Sequence, residues 1–169
     1  GPAAFEVLRM NASGSIDLLV GEERKNYPVH SGYSPGFSNP FNAYLWRMEV
    51  HNNQLYVGTL DASIFSMFTS KDKLREFAAD QLSRSDLMQW LLSSGGADLW
   101  RTRQGRVWEP VTTNGFDNFY NYGIRTMISN GNRLFIGTAN PFGPKIWNSE
   151  TCDYEPNALS GAELILLEN

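Results

Sequence analysis

The feature that most constrains this chain is an internal repeat with a fixed offset of 79 residues. The segment GFSNPFN at 36–42 is echoed by GFDNFYN at 115–121, and LYVGT at 55–59 is echoed by LFIGT at 134–138. Both matches have the same offset (115 − 36 and 134 − 55), with no gap between them. A fixed period of short apolar runs predicts one supersecondary unit that is copied in space.

Each unit is predicted to contain four short strands. The segment 55–57 and its echo are apolar at consecutive positions, which is typical of a strand buried on both faces. Asn52-Asn53 and Gly131-Asn132 separate apolar runs, as in two-residue hairpin turns. The predicted strands are 44–50, 54–59, 98–102 and 107–111, then 124–129, 133–138 and 163–167. The fold class predicted is all-β: a β-propeller over 1–169, with about two blades and part of a third.

A helical insertion is predicted to interrupt the first full blade. From 70 to 92 the apolar residues change to helical spacing, with Leu74, Phe77, Ala78 and Leu82 on one stripe. Ser70 is a candidate N-cap of the first helix. The insertion, bounded at 66–94, is expected either to cover exposed blade edges or to act as a lid over a pocket.

Composition excludes several kinds of site. The 14 Lys and Arg residues are scattered and the net charge is −4, which argues against a nucleic-acid surface. No apolar run approaches the roughly 20 residues of a membrane span. A single cysteine excludes an intrachain disulfide and a Cys-cluster zinc site, and His30 and His51 are isolated from each other. We therefore predict no metal site and no cofactor, and the compartment stays open between secreted and cytoplasmic.

One stretch resembles a known family. The sequence GADLWRTRQGRVW at 96–108 is similar to the Gly-x-Glu-Val-Trp-Arg-Ser-x-Asp-Gly-x-x-Trp strings of bacterial β-propellers with Asp-box-like hairpins. That sialidase- and kelch-like group includes hydrolases and binding proteins, so the resemblance implies an architecture and no activity. Gln104 replaces the Asp-box aspartate here, which limits any Asp-box role to turn geometry.

The strand count predicts association. Just over two units are present, whereas propellers close with roughly four to eight blades. The chain is therefore expected to be the C-terminal part of a longer propeller, or one protomer of a ring completed by another chain, a fragment or a homo-oligomer. The last strand, at 163–167, would otherwise leave an open edge.

The candidate functional site is predicted at the channel mouth. The repeated loops, the ends of the second strand of each unit and the insertion are expected to meet there. Carboxylates and arginines there could perform acid/base chemistry or bind an anion. The candidate catalytic residues are Asp61, Arg125 and Arg47. The candidate ligand-binding residues are Asn39, Asn42, Asn118, Asn121, Asn140 and Tyr122. The plainer interpretation is that the asparagines form Asx-turns within their own loops and that Asp61 pairs with Arg47.

Three functions remain open from the sequence. The first is a binding or scaffold propeller that recognises a small polar ligand or a protein partner at the channel mouth. The second is a hydrolase or lyase at the same place, with the insertion as its lid. The third is an assembly subunit that completes a ring with another chain.

Overall fold

The computed structural model describes residues 4–68, 89, 93–148 and 151–168, and these residues are all-β. No helix of seven or more residues occurs among them, and none is long and apolar enough to cross a membrane. The strands are β1 (Val7–Met10), β2 (Ile16–Val20), β3 (Asn42–His51), β4 (Gln54–Asp61), β5 (Leu99–Thr102), β6 (Glu109–Thr112), β7 (Gly123–Asn130), β8 (Arg133–Ala139), β9 (Lys145–Asn148), β10 (Asp153–Pro156) and β11 (Leu164–Glu168).

Most strands belong to one curled antiparallel sheet. Its order is β11-β8-β7-β4-β5-β6, and β3 pairs with β4. The two halves join where Leu60 of β4 pairs with Gly123 of β7. Two separate hairpins, β1–β2 and β9–β10, complete the strand pairings.

The predicted propeller architecture is wrong. The seven strands form a continuous half-barrel rather than separate four-stranded blades around a channel, because the Leu60–Gly123 pairing fuses the two units into one sheet. Sequence periodicity predicts strands within a unit, but it carries no information on pairing between units.

The predicted helical insertion at 66–94 is not found in the described residues. The described part of this segment consists of the last turn of a 3₁₀ helix, Ser63–Phe68, and of helical positions at 89 and 93–94. The remainder, 69–88 and 90–92, lies outside the described residues.

The strand positions were predicted closely, and each of the seven predicted strands forms with ends shifted by at most two residues. The 141–160 stretch contains the β9–β10 hairpin. The first hairpin turn has the expected geometry, since Asn52 and Asn53 have φ of 47° and 58°.

The β3–β4 and β7–β8 hairpins have corresponding registers. Met48 pairs with Val57 as Met127 pairs with Ile136, and Arg47 pairs with Gly58 as Thr126 pairs with Gly137. The register shifts at the same place in each, and the extra residues are Trp46 and Arg125.

The core lies on both sides of β4. Val57 and Trp100 pack with the inner face of the β1–β2 hairpin, and Tyr56 and Leu99 pack with β7 and β8. Gly58 permits this second contact, since a methyl group at that position would overlap Ile124.

Candidate functional site

The two repeated loops share an unusual backbone. In each, a Gly-Phe-x tripeptide holds three consecutive residues in the left-handed region, with φ between 59° and 66°. Such runs are unfavourable for residues with a side chain, by about 1–2 kcal/mol each, so fixed contacts must compensate. The residues are Gly36, Phe37 and Ser38 in the first loop and Gly115, Phe116 and Asp117 in the second.

In the first loop, a buried asparagine supplies that compensation. The Asn42 amide donates to the Gly36 carbonyl at 2.9 Å and to Asp98 Oδ2 at 2.7 Å. Its own oxygen accepts the Thr59 hydroxyl at 2.8 Å, and the Asp98 backbone N–H donates to Thr59 Oγ1 at 2.8 Å. The loop is therefore tied to the end of β4 and the start of β5.

The second loop repeats this arrangement atom for atom. The Asn121 amide donates to the Gly115 carbonyl at 2.9 Å and to Glu163 Oε2 at 2.6 Å. Thr138 donates to Asn121 Oδ1 at 2.9 Å, and the Glu163 backbone N–H donates to Thr138 Oγ1 at 2.8 Å. We call these two sets the first and second amide networks.

The outer asparagines form the Asx-turns expected from the sequence. Asn39 Oδ1 accepts the Phe41 N–H at 2.9 Å, and Asn118 Oδ1 accepts the Tyr120 N–H at 3.1 Å. The Asn39 amide also donates to Asp61 Oδ2 at 2.9 Å. These asparagines therefore fix loop geometry from inside the protein.

Besides the replacement of Asp98 by Glu163, the two networks differ at one further position. Asp61 in the first corresponds to Asn140 in the second, and both are buried. Asn140 donates to the Leu159 carbonyl at 2.8 Å, whereas Asp61 accepts the Ser63 N–H at 2.7 Å. The first network therefore contains two acids, Asp61 and Asp98, where the second contains Glu163 alone.

Burial perturbs both acids of the first network. Desolvation raises the pKa of Asp61, although the Ser63 N–H and the Asn39 amide act in the opposite direction. Desolvation raises the pKa of Asp98 to about 6; the nearby Asp61 charge adds to this effect, and hydrogen bonds from Asn42 and Trp100 reduce it. Perturbed carboxyl groups of this kind occur at functional sites and also in structural networks.

An aromatic surface lies next to this network. The Asp61 N–H donates to the Tyr122 carbonyl at 2.8 Å, and the Tyr122 ring lies 5.8 Å from Trp46 and 5.6 Å from Phe65. The Arg125 guanidinium lies over Trp46, 4.9 Å from the ring centroid. We call Trp46, Phe65, Tyr122 and Arg125 the aromatic–arginine surface.

Among the described contacts, the three candidate catalytic residues form no ion pair with one another. Asp61 has no exposed surface, and Arg125 is exposed above Trp46. Arg47 lies 3.9 Å from Glu49 and donates to the Met127 carbonyl at 3.4 Å, so the expected Asp61–Arg47 ion pair does not form.

Sequence reasoning missed Asp98 and Glu163 as members of the networks. Their signal was present, because GAD at 96–98 is echoed by GAE at 161–163. From the sequence, Asp98 was assigned only to the start of a strand. The sequence does not reveal that its carboxylate accepts a hydrogen bond from Asn42, which lies 56 residues earlier in the chain.

A shallow cavity lies at the other end of β4. It is lined by the start of β4 and by the β5–β6 turn, including Gln54, Arg101, Arg103 and Arg106. Neither the amide networks nor the aromatic–arginine surface contributes to it.

Apolar side chains are exposed on several of the described strands, including Tyr44, Met48 and Val50 of β3, and two further sheet faces are also open to solvent. On the face of β7–β8–β11 that points away from the core, Leu164 is 75%, Ile128 61% and Leu166 44% exposed, beside the half-buried Phe135. We call these four residues the outer face. In the separate β1–β2 sheet, Leu8, Met10 and Ile16 form an exposed face, which we call the hairpin face.

Comparison with known proteins adds no relative. No protein-family model, curated protein or solved structure matches this chain.

Proposed function

We propose that this chain is an assembly module that associates head to tail, with the hairpin face of one copy packed on the outer face of the next. The observation that carries the proposal is the exposure of Leu164, Ile128 and Leu166 on one contiguous sheet face. Contiguous exposed apolar patches of this kind mark protein interaction sites.

Strand pairing at the edge adds to this support. β11 is an end strand of the main sheet, and among the described strands it pairs only with β8. Its outer edge presents backbone N–H and C=O groups that can pair with another strand. A partner at this place gains main-chain hydrogen bonds as well as apolar contact.

A second copy is the partner that the molecule's own packing favours. Inside the chain, the inner face of the β1–β2 hairpin already covers the Val57 and Trp100 side of β4–β5. Within the repeat, Leu8 of the hairpin face takes the place of Trp100, and Phe135 of the outer face takes the place of the buried Tyr56. The two open faces therefore correspond to the two sides of the central unit, where the Trp100 side packs on the β1–β2 hairpin and the Tyr56 side packs on β7 and β8. Since they are different surfaces, their contact is heterologous and continues into a ring or a chain of copies.

Sedimentation equilibrium over a wide range of protein concentration tests this proposal. We expect the mass to rise above that of the 19.0 kDa monomer with concentration, and a double variant Ile128→Glu, Leu164→Glu to remain monomeric. Val107→Glu is the matched control, because Val107 is 74% exposed but lies in the β5–β6 turn. A parent chain that stays folded and monomeric at every concentration contradicts the proposal.

The aromatic–arginine surface favours a second candidate function, the binding of a small polar ligand. Trp46 and Tyr122 can stack on a sugar ring, and Arg125 can pair with a carboxylate, so an acidic oligosaccharide is the ligand class that fits. Titration with oligogalacturonate, followed by tryptophan fluorescence, tests this candidate. Arg125→Ala should abolish the response, while Arg133→Ala, which removes an exposed arginine paired with Glu168, should not.

The hydrolase or lyase alternative has less support from the geometry. Acid/base chemistry needs a carboxyl group within reach of a substrate, and Asp61 is fully buried under the first loop. We therefore do not propose an enzymatic activity.

A further inference from the structure

We propose that Asp61 and Asp98 bind a hard divalent cation of the Ca²⁺ class, with the Ser63 hydroxyl as a further oxygen ligand. The proposal is independent of the assembly function, because these residues lie in the buried first amide network and not on either open face.

The first observation is uncompensated charge. Asp61 has no exposed surface and Asp98 is 2% exposed. No lysine, arginine or histidine in the described part of the chain forms an ion pair with either. The same loop holds both acids, because Asn39 donates to Asp61 and Asn42 donates to Asp98. The charge of Asp61 acts on Asp98, and two buried carboxylates that interact in this way are costly unless a positive charge compensates them.

The second observation is two buried oxygens without hydrogen-bond partners. Asp98 Oδ2 accepts from Asn42 and Trp100, but Oδ1 of the same group has no partner. The Ser63 hydroxyl is also buried, and it lies close enough to the Asp61 carboxylate to lower its pKa without making a hydrogen bond of good geometry. Buried polar atoms are nearly always satisfied, so each unpaired oxygen requires an explanation.

The third observation is an internal comparison. In the second network, Asn118 and Asn121 donate to the two carboxylate oxygens of Glu163, at 3.1 and 2.6 Å. Asn140 stands where the first network has Asp61, and its amide donates to the Leu159 carbonyl. In the second network, both oxygens of the single carboxylate therefore have hydrogen-bond donors. The first network has a second carboxylate at the equivalent place, together with buried oxygens that lack partners.

The donor set indicates the class of ion. Carboxylate and hydroxyl oxygens suit hard cations, and Ca²⁺ accepts flexible coordination completed by backbone carbonyls or water. Among the described residues, no group of three or more His, Cys, Asp or Glu side chains is placed to hold a metal ion, so the carboxylate ligands of the proposed site are Asp61 and Asp98 alone. With only two carboxylates, we expect a dissociation constant in the range of about 10⁻⁴–10⁻³ M.

Terbium luminescence tests the proposal directly at the site. Tb³⁺ substitutes for Ca²⁺, and Trp100, whose indole N–H lies 3.2 Å from Asp98 Oδ2, can sensitise its emission. With the chelator-treated protein at pH 7.5, we expect saturable emission on excitation of tryptophan, and loss of that emission when Ca²⁺ is added in excess.

Asp61→Asn is the decisive variant, because it gives the first network the chemistry that the second has at Asn140. It should retain the near-UV circular dichroism of the parent and lose at least tenfold in Tb³⁺ affinity. Asn118→Asp is the matched control, since it adds a carboxylate beside Glu163 in the second network. It should leave unchanged the binding of Tb³⁺ at Asp61 and Asp98, which Trp100 reports. If Asp61→Asn does not fold, Asp98→Asn replaces it. Absence of sensitised emission from the parent, or emission unchanged in the Asp variants, overturns the proposal.

Discussion

Trp46 and Arg125 occupy the same extra position in two corresponding hairpins, 79 residues apart, and they contact each other. The Arg125 guanidinium lies 4.9 Å from the Trp46 ring centroid, at the place where β4 and β7 join the two halves of the sheet. In one hairpin this position carries an aromatic ring, and in the other a cation that stacks on that ring. The repeat therefore supplies both sides of a contact between its own units.

Gly123→Ala should disturb this contact most. A methyl group there would overlap the six-membered ring of Trp46, which lies against the β7 backbone. Overpacking of this kind costs about 1–3 kcal/mol in the free energy of unfolding. Urea denaturation measures it. Gly143→Ala, where nothing lies within 4 Å, is the control and should change stability little.

The stacking itself can be measured by a double-mutant cycle. Arg125→Ala and Trp46→Leu should each destabilise the protein, and their coupling energy should be about 0.5–1 kcal/mol, since Arg125 is exposed. A coupling energy of zero would mean that the guanidinium lies over the ring without stabilising it.

Asn42→Ala and Asn121→Ala should destabilise the protein by similar amounts. Each variant removes an amide that bonds a left-handed loop, a threonine and an acid, and each leaves buried polar groups without partners. We expect about 2–3 kcal/mol for each in chemical denaturation. Asn130→Ala, at an exposed end of β7, is the control. A large difference between the two buried variants would contradict the equivalence of the networks.

Asp98 should make stability depend on pH. Its pKa in the folded state is about 6, above the ordinary 3.8, so the folded protein binds this proton more tightly than the unfolded chain. As pH rises from about 4 to about 6, the unfolded chain ionises first, and the free energy of unfolding falls by up to roughly 3 kcal/mol. Above pH 6 this contribution is constant.

Asp98→Asn tests that dependence in chelator-containing buffer. The amide cannot ionise and can still accept from Asn42 and Trp100, so the fall between pH 4 and 6 should be smaller than in the parent chain. Asp61, whose pKa is also raised, should retain part of the slope. A variant with the parent's full slope would show that Asp98 does not titrate in this range.

The sequence by itself determined the strands, the hairpin turns and the equivalence of the two hairpins. Those features depend on local alternation, on turn residues such as Asn52 and Asn53, and on a repeat that is read directly from the chain. It also marked the asparagines of both loops, although their Asx-turns were the plainer of two interpretations.

Only the tertiary structure decided how the units meet and which residues are accessible. The single Leu60–Gly123 pairing produces a curled sheet instead of separate blades, and such pairings leave no periodic signal in either segment. The tertiary structure likewise places Asp61, a candidate catalytic residue, inside the protein in a network with Asp98. Its partners there come from distant segments of the chain, because buried charges are satisfied by whatever the fold brings near them and not by their neighbours in sequence.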